Sequence, residues 1–151
     1  MASDYSAMEA ALVSALISRA SNLTTDNCKA GGHDEVVRYL IASPNVNYGA
    51  YTMFGGGNKN PEQPLIWIWH VRLVFLVRAN VSSISEAETR LKTLLADVDL
   101  EQWRPISRLG GTALASRIVR MNAPQVVSYN RLVFYEQTVD VQIDVRYADA
   151  H

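Results

Sequence analysis

From Leu132 to Tyr147 the chain alternates apolar and polar residues for sixteen positions, and no other stretch constrains the fold as strongly. Period two puts Val133, Tyr135, Val139, Val141, Ile143, Val145 and Tyr147 on one face and Glu136, Thr138, Asp140, Gln142, Asp144 and Arg146 on the other. This is the signature of a β-strand with one wet face. At about 3.3 Å per residue it would span roughly 50 Å, far beyond the usual five or six residues. A strand of that length is expected to outrun the domain that anchors it and to serve in assembly with other subunits.

With 151 residues the chain is expected to form a single domain, 1–151, large enough to bury a core without disulfides or metal. Net charge is −1, so nothing in the overall balance draws the chain to nucleic acid or to an anionic membrane. The lone Cys28 has no intrachain partner, fits a reducing compartment and reads as inert. Residues Met1 to Glu9 lack a basic region and carry Asp4 and Glu9, unlike a secretory signal. The most apolar stretch, Leu65 to Ala79, is interrupted by His70, Arg72 and Arg78 and is too short to span a bilayer. It predicts a central strand, with Trp67, Trp69, Val71, Leu73, Phe75 and Val77 on one face.

Three-to-four spacing of Tyr5, Met8, Leu12 and Leu16 predicts an amphipathic helix over residues 5–20, with Ser6 and Glu9 as a capping box. Ser21 to His33 reads as a polar loop, and Asp34 to Ala42 as a short helix stopped at Ser43-Pro44. Val46 to Phe54 alternates like a strand, weakened by Gly49. The segment Gly55-Gly56-Gly57-Asn58-Lys59-Asn60-Pro61-Glu62-Gln63-Pro64 reads as a mobile loop projecting into solvent. After a turn at Asn80 to Ser83, a Ser83/Glu86 capping box opens a helix carrying Ile84, Ala87, Leu91, Leu94, Leu95 and Val98. Beyond Gly110-Gly111, Ala113 to Met121 is compatible with a strand that Pro124 ends. The order predicts an α+β fold: a mostly antiparallel sheet or sandwich, two helices packed on one face, and a long projecting hairpin loop.

No catalytic constellation emerges. His33, His70 and His151 lack motif partners, and Cys28 with His33 is too few for a structural zinc. The glycine run with Lys59 lacks the Gly-Lys-Ser or Gly-Lys-Thr ending of a phosphate loop. The reading is therefore no enzyme, no cofactor and no metal. Arg104, Arg108, Arg117 and Arg120 cluster near Trp103, a pattern that a solvated loop or a salt-bridged subunit surface each explains better than nucleic-acid binding does. Trp67 and Trp69 share a strand face and are expected to pack in a core or interface.

An N-terminal amphipathic helix, the long strand Leu65 to Ala79, the Ser83-capped helix with Glu86, Ala87, Glu88, Leu91 and Leu94, and Arg131-Leu132-Val133-Phe134-Tyr135-Glu136 opening the final strand form a recognisable order. The chain resembles, from about Ala7 to Tyr147, the small tail terminator (tail-completion) proteins of long-tailed bacteriophages. The resemblance implies a structural virion protein, assembled in the host cytoplasm and located at the tail–neck junction. It would form a hexameric ring that caps the tail tube, stops tube polymerisation and meets the neck or head-completion protein. The tail sheath is a further candidate partner, DNA passes only in transit, and no membrane is involved. Gly55, Gly56, Gly57, Asn58, Lys59 and Asn60 become the candidate docking loop. Glu136, Asp140, Asp144 and Arg146 become a candidate lumen or intersubunit face, and an acidic lumen would not retain DNA. Within virion proteins the alternative is a tail tube subunit or another neck ring. From a different class, the alternative is a small ligand-binding α+β domain with a pocket lined by Trp67, Trp69 and Tyr135.

Overall fold

The two long alternating segments pair with each other at the centre of a six-stranded, mostly antiparallel sheet. The computed structural model describes residues 5–80, 84–99, 109 and 113–147. In chain order the elements are α1 (Tyr5–Arg19), β1 (Cys28–Lys29), α2 (His33–Ala42), β2 (Tyr48–Lys59), β3 (Ile66–Ala79), α3 (Ile84–Val98), β4 (Ala115–Met121), β5 (Gln125–Tyr129) and β6 (Leu132–Arg146). Strand order across the sheet is β1-β2-β3-β6-β4, and β5 also pairs with β6. The fold is thus α+β with a mostly antiparallel sheet, as the periodicities predict.

β3 and β6 run antiparallel in unbroken register from Ile66↔Arg146 to Ala79↔Val133. β4 and β5 occupy the other side of β6. The long final strand is therefore interior to the sheet, with its backbone hydrogen-bonding capacity taken up on both sides. The expectation that it outruns its domain is corrected: sixteen alternating residues reveal a long strand but not how many neighbours it has.

α1 and α3 cover one face, as expected. Met8, Leu12 and Leu16 of α1 and Ala87, Leu91, Leu94 and Val98 of α3 are buried against Val71, Leu73, Phe75 and Val77 of β3 and Val139, Val141, Ile143 and Val145 of β6. α2 lies on the opposite face, where Val36, Val37 and Leu40 meet Tyr51, Val74, Leu76 and Phe134. Gly49 makes that approach possible, since a Cβ there would sit 2.8 Å from Val36 Cγ1 and 3.0 Å from Leu40 Cδ1. Two arginines close the helix ends. Arg19 donates to the Val98 and Asp99 carbonyls at the end of α3 (both 2.8 Å), and Arg78 donates to the Leu40, Ser43 and Val46 carbonyls beyond α2.

Several local expectations change. Glu9 accepts a hydrogen bond from the Thr52 hydroxyl, so α1 is tied to β2 rather than closed by a capping box. The polar segment before α2 contains β1, held by the buried Asn27 side chain, which donates to the Asn22 and Tyr48 carbonyls (2.9 and 3.0 Å). β5 was not foreseen. Its hairpin with β6 turns at Asn130 and Arg131, both at positive φ (49° and 67°), the two-residue turn geometry usually signalled by a glycine. Ser83 and Gly110-Gly111 lie outside the described residues.

Candidate functional site

The clearest departure from expectation lies at the glycine run. Gly55 to Lys59 are not a mobile loop: they belong to β2, with Gly57↔Trp69, Asn58↔Ile68 and Lys59↔Trp67 paired across the hairpin. Phe54 pairs with Val71 and Gly57 with Trp69, so Gly55 and Gly56 form a bulge opposite His70, with Gly56 at φ +87°. Gly55 and Gly57 are set by close packing, and Gly56 by its positive φ. A Cβ on Gly57 would lie 2.5 Å from Trp67 Nε1 and 2.7 Å from the Trp69 ring, because both indoles lie across β2 at that point. The connection proper is Asn60 to Leu65, closed by the Asn60 amide donating to the Ile66 carbonyl and by the Asn60 side chain accepting from the Glu62 amide, both 2.9 Å.

On the α1 face the hairpin carries an aromatic cluster. Tyr5 meets Phe54 and Trp69 edge-on, with ring centroids 4.5 and 5.4 Å apart. Trp67 meets Trp69 at 5.5 Å and Tyr147 at 5.8 Å, and Lys59 Nζ sits 4.4 Å above the Tyr147 ring. Tyr135 is absent from this group. It pairs with Val77, ten residues along β3 from Trp67, roughly 33 Å at strand rise. The expected ligand pocket lined by Trp67, Trp69 and Tyr135 therefore does not exist, and the indoles fill their own space with neighbouring rings.

The opposite face of the same region is open and polar. Strand register brings the wet row of β6 between β3 and β4, so each acid acquires a partner: Arg72 Nε to Asp140 Oδ1 at 2.9 Å and Arg117 Nη1 to Asp144 Oδ2 at 3.0 Å. Arg117 also donates to Gln142 Oε1 (2.7 Å), and the Tyr129 hydroxyl donates to Glu136 (2.9 Å). Proximity to Asp140 raises the Arg72 pKa further, through the hydrogen bond first and the opposite charge second. Glu136, Asp140, Asp144 and Arg146 do lie on one face, as the alternation predicts, but the surface is mixed in charge. The acidic character inferred from the row alone is corrected, because the balancing arginines come from strands distant in sequence.

Shallow hollows line this face. Met53, His70, Arg72, Val119, Asp140 and Gln142 border one of about 530 Å³, and Arg72, Asn122, Gln125, Glu136 and Thr138 a second of about 290 Å³. Both open to solvent. His70 Nε2 is 2.6 Å from Asn58 Oδ1, so this histidine is engaged within the hairpin. His33 opens α2 and packs edge-on against Tyr51 and Tyr129, each at 5.1 Å. Among the described residues no three His, Cys, Asp or Glu side chains converge as metal ligands, and no helix is long and apolar enough to cross a membrane. Cys28 is 2 % exposed, and burial pushes its thiol up to about 12. Arg104, Arg108, Trp103 and His151 lie outside the described residues, while Arg120 joins Arg117 on the open face, level with Asp140.

No protein-family model matches the sequence, and no curated protein matches it. Sequence reasoning missed the exposed apolar side chains of the outer strands: Met53 and Phe54 on β2 and Val119 and Met121 on β4 (46, 63, 50 and 51 % exposed). Their apolar character is visible in the sequence; their exposure is not.

Proposed function

We propose that this chain is a ring-forming tail terminator of a long-tailed bacteriophage, a structural virion protein at the tail–neck junction. The ring caps the tail tube, stops its polymerisation and joins the tail to the neck, and DNA passes through its centre. The observation that carries the reading is the sheet itself, backed along one face by α1 and α3 and open on the other where the β2–β3 hairpin ends. Arg72 and Arg117 on the open face pair with Asp140 and Asp144, and Glu136 lies on the same face as Arg120 and Arg146. Lys and Arg supply most non-specific affinity for phosphate, so acids interspersed among these arginines weaken the hold on passing DNA. Glu136, Asp140, Asp144 and Arg146 are then the lumen-side or intersubunit row. The hairpin tip, with Asn58, Lys59 and Asn60, is the part that reaches the tube or the neck protein.

Electron microscopy of negatively stained full-length protein tests this, with closed sixfold rings as the expected particle. Open-ended stacked tubes would make the chain a tube subunit instead. A protein that stays monomeric at high concentration, and fails to arrest growing tail tubes when added to them, would overturn the reading.

A further inference from the structure

At the end of the sheet opposite the hairpin tip, a hollow of about 420 Å³ gathers three arginines from three separate elements. Arg78 stands near the end of β3, Arg90 in the second turn of α3 and Arg131 in the β5–β6 turn, and Asn47, Asn80 and Glu86 add polar groups to the lining. Glu86 is the one carboxylate among these described residues, and it is paired with Arg90 (2.6 Å), which also donates to the Arg78 carbonyl (3.0 Å). Val81, Ser82 and Ser83, which follow Asn80 outside the described residues, bring no charge. Three guanidiniums against one carboxylate leave the lining with two positive charges.

Arg78 is held in place. Its Nε and Nη2 donate to the Leu40, Ser43 and Val46 carbonyls, and its guanidinium lies 5.8 Å from the centre of the Phe134 ring. Those bonds close the end of α2, but they leave Nη1 without a partner among the described residues. Carbonyl dipoles offset part of the charge, and no carboxylate pairs with it. Burial first and the neighbouring Arg90 second lower the Arg78 pKa from the ordinary guanidinium value. A half-buried cation in this setting favours an anion within reach.

Arg131 gives an independent sign. It sits at φ +67°, in a two-residue hairpin turn where glycine is the favoured choice and an arginine is strained. Its side chain makes no hydrogen bond or ion pair among the described residues, so no contact within the fold compensates that strain, yet it lines the hollow.

The lining also selects the ligand. One bidentate fork satisfies a carboxylate, whereas guanidiniums approaching from three elements suit the several oxygens of a tetrahedral phosphate. Two positive charges match a phosphate monoester, which is close to a dianion at neutral pH. The singly charged diesters of a duplex are instead held by cations spread along a surface, without a glutamate among them. We propose that this hollow binds a single phosphate group, free or as a monoester, between Arg78 Nη1, Arg90 and Arg131. The site stands apart from the ring reading above and does not depend on it.

Thermal unfolding of the full chain in inorganic phosphate, against sodium chloride of equal ionic strength, tests the proposal. A saturable rise in melting temperature specific to phosphate is expected. Arg78 also closes α2, so the decisive variant is Arg131→Gly: it is expected to melt in chloride at the parent's temperature or above, because glycine relieves the positive φ, while binding phosphate roughly tenfold or more weakly in titration calorimetry. Glu86→Gln removes the one acid and is expected to tighten binding. Phenyl phosphate bound as well as inorganic phosphate would identify a monoester site, and inorganic phosphate bound alone would identify a site for the free ion. No phosphate-specific rise in the parent protein, or equal phosphate affinity in Arg131→Gly, would overturn the proposal. A blunt duplex with 5′-hydroxyl ends that displaces phosphate would overturn it too, by showing recognition of the diester backbone.

Discussion

The two ends of the sheet are built to different rules. At the α2 end, β3 is buried on both faces: Leu73, Val74, Phe75, Leu76 and Val77 are each 1 % exposed or less, enclosed by α1 and α3 on one side and α2 with Phe134 on the other. At the hairpin end the same strand is less enclosed: Ile68 and Val71 are buried, Trp67, Trp69 and His70 are half-buried, and Arg72 is exposed on the open face. One strand thus passes from a fully buried core element to a one-sided wall. The α2 end is enclosed on both faces, while the hairpin end combines a one-sided core with exposed side chains, half-buried aromatic rings and paired charges on the open face.

That division is broken most severely by substitutions at the α2 end. Phe134→Ala empties a fully buried site and is expected to cost about 3–5 kcal/mol, read as a lower urea midpoint. Met53→Ala, at an exposed position of β2, is expected to stay within about 0.5 kcal/mol by the same measurement. If the two costs were similar, the division would fail. Next in size, Gly57→Ala forces a methyl against the Trp67 and Trp69 rings and is expected to cost about 1–3 kcal/mol, with a shift in tryptophan fluorescence. An unchanged spectrum would mean that the indoles do not lie across β2.

Smaller still is the coupling of Arg72 with Asp140. Both are partly exposed, so a double-mutant cycle is expected to give about 0.2–1 kcal/mol, weakening as salt is raised. Smallest is the tip. Deleting Pro61 to Gln63 is expected to leave thermal stability nearly unchanged, within about 0.5 kcal/mol, while impairing tail attachment in a complementation assay. Deleting Gly55 to Lys59 removes strand pairing instead and is expected to destabilise the fold measurably.

Much of this architecture was legible in the sequence where one element carries its own signal. α1, α3, β3 and β6 announce themselves through periodicity, and the burial of Met8, Leu12, Leu16, Leu91 and Leu94 follows the stripes. What escaped depends on partners remote in the chain. Three consecutive glycines look like a flexible loop until two indoles are laid over one of them. Asp140 and Asp144 look like a bare acidic row until register sets Arg72 and Arg117 beside them. β5 was hidden because its turn uses Asn130-Arg131 in place of a glycine. Nor could the exposure of Met53, Phe54, Val119 and Met121 be read, since it depends on where β2 and β4 lie in the sheet.

Native mass spectrometry of the full-length protein at high concentration tests the central claim most directly. The account predicts one dominant assembly of six chains. A monomer at every concentration, or an open series of sizes without a closed product, would contradict it.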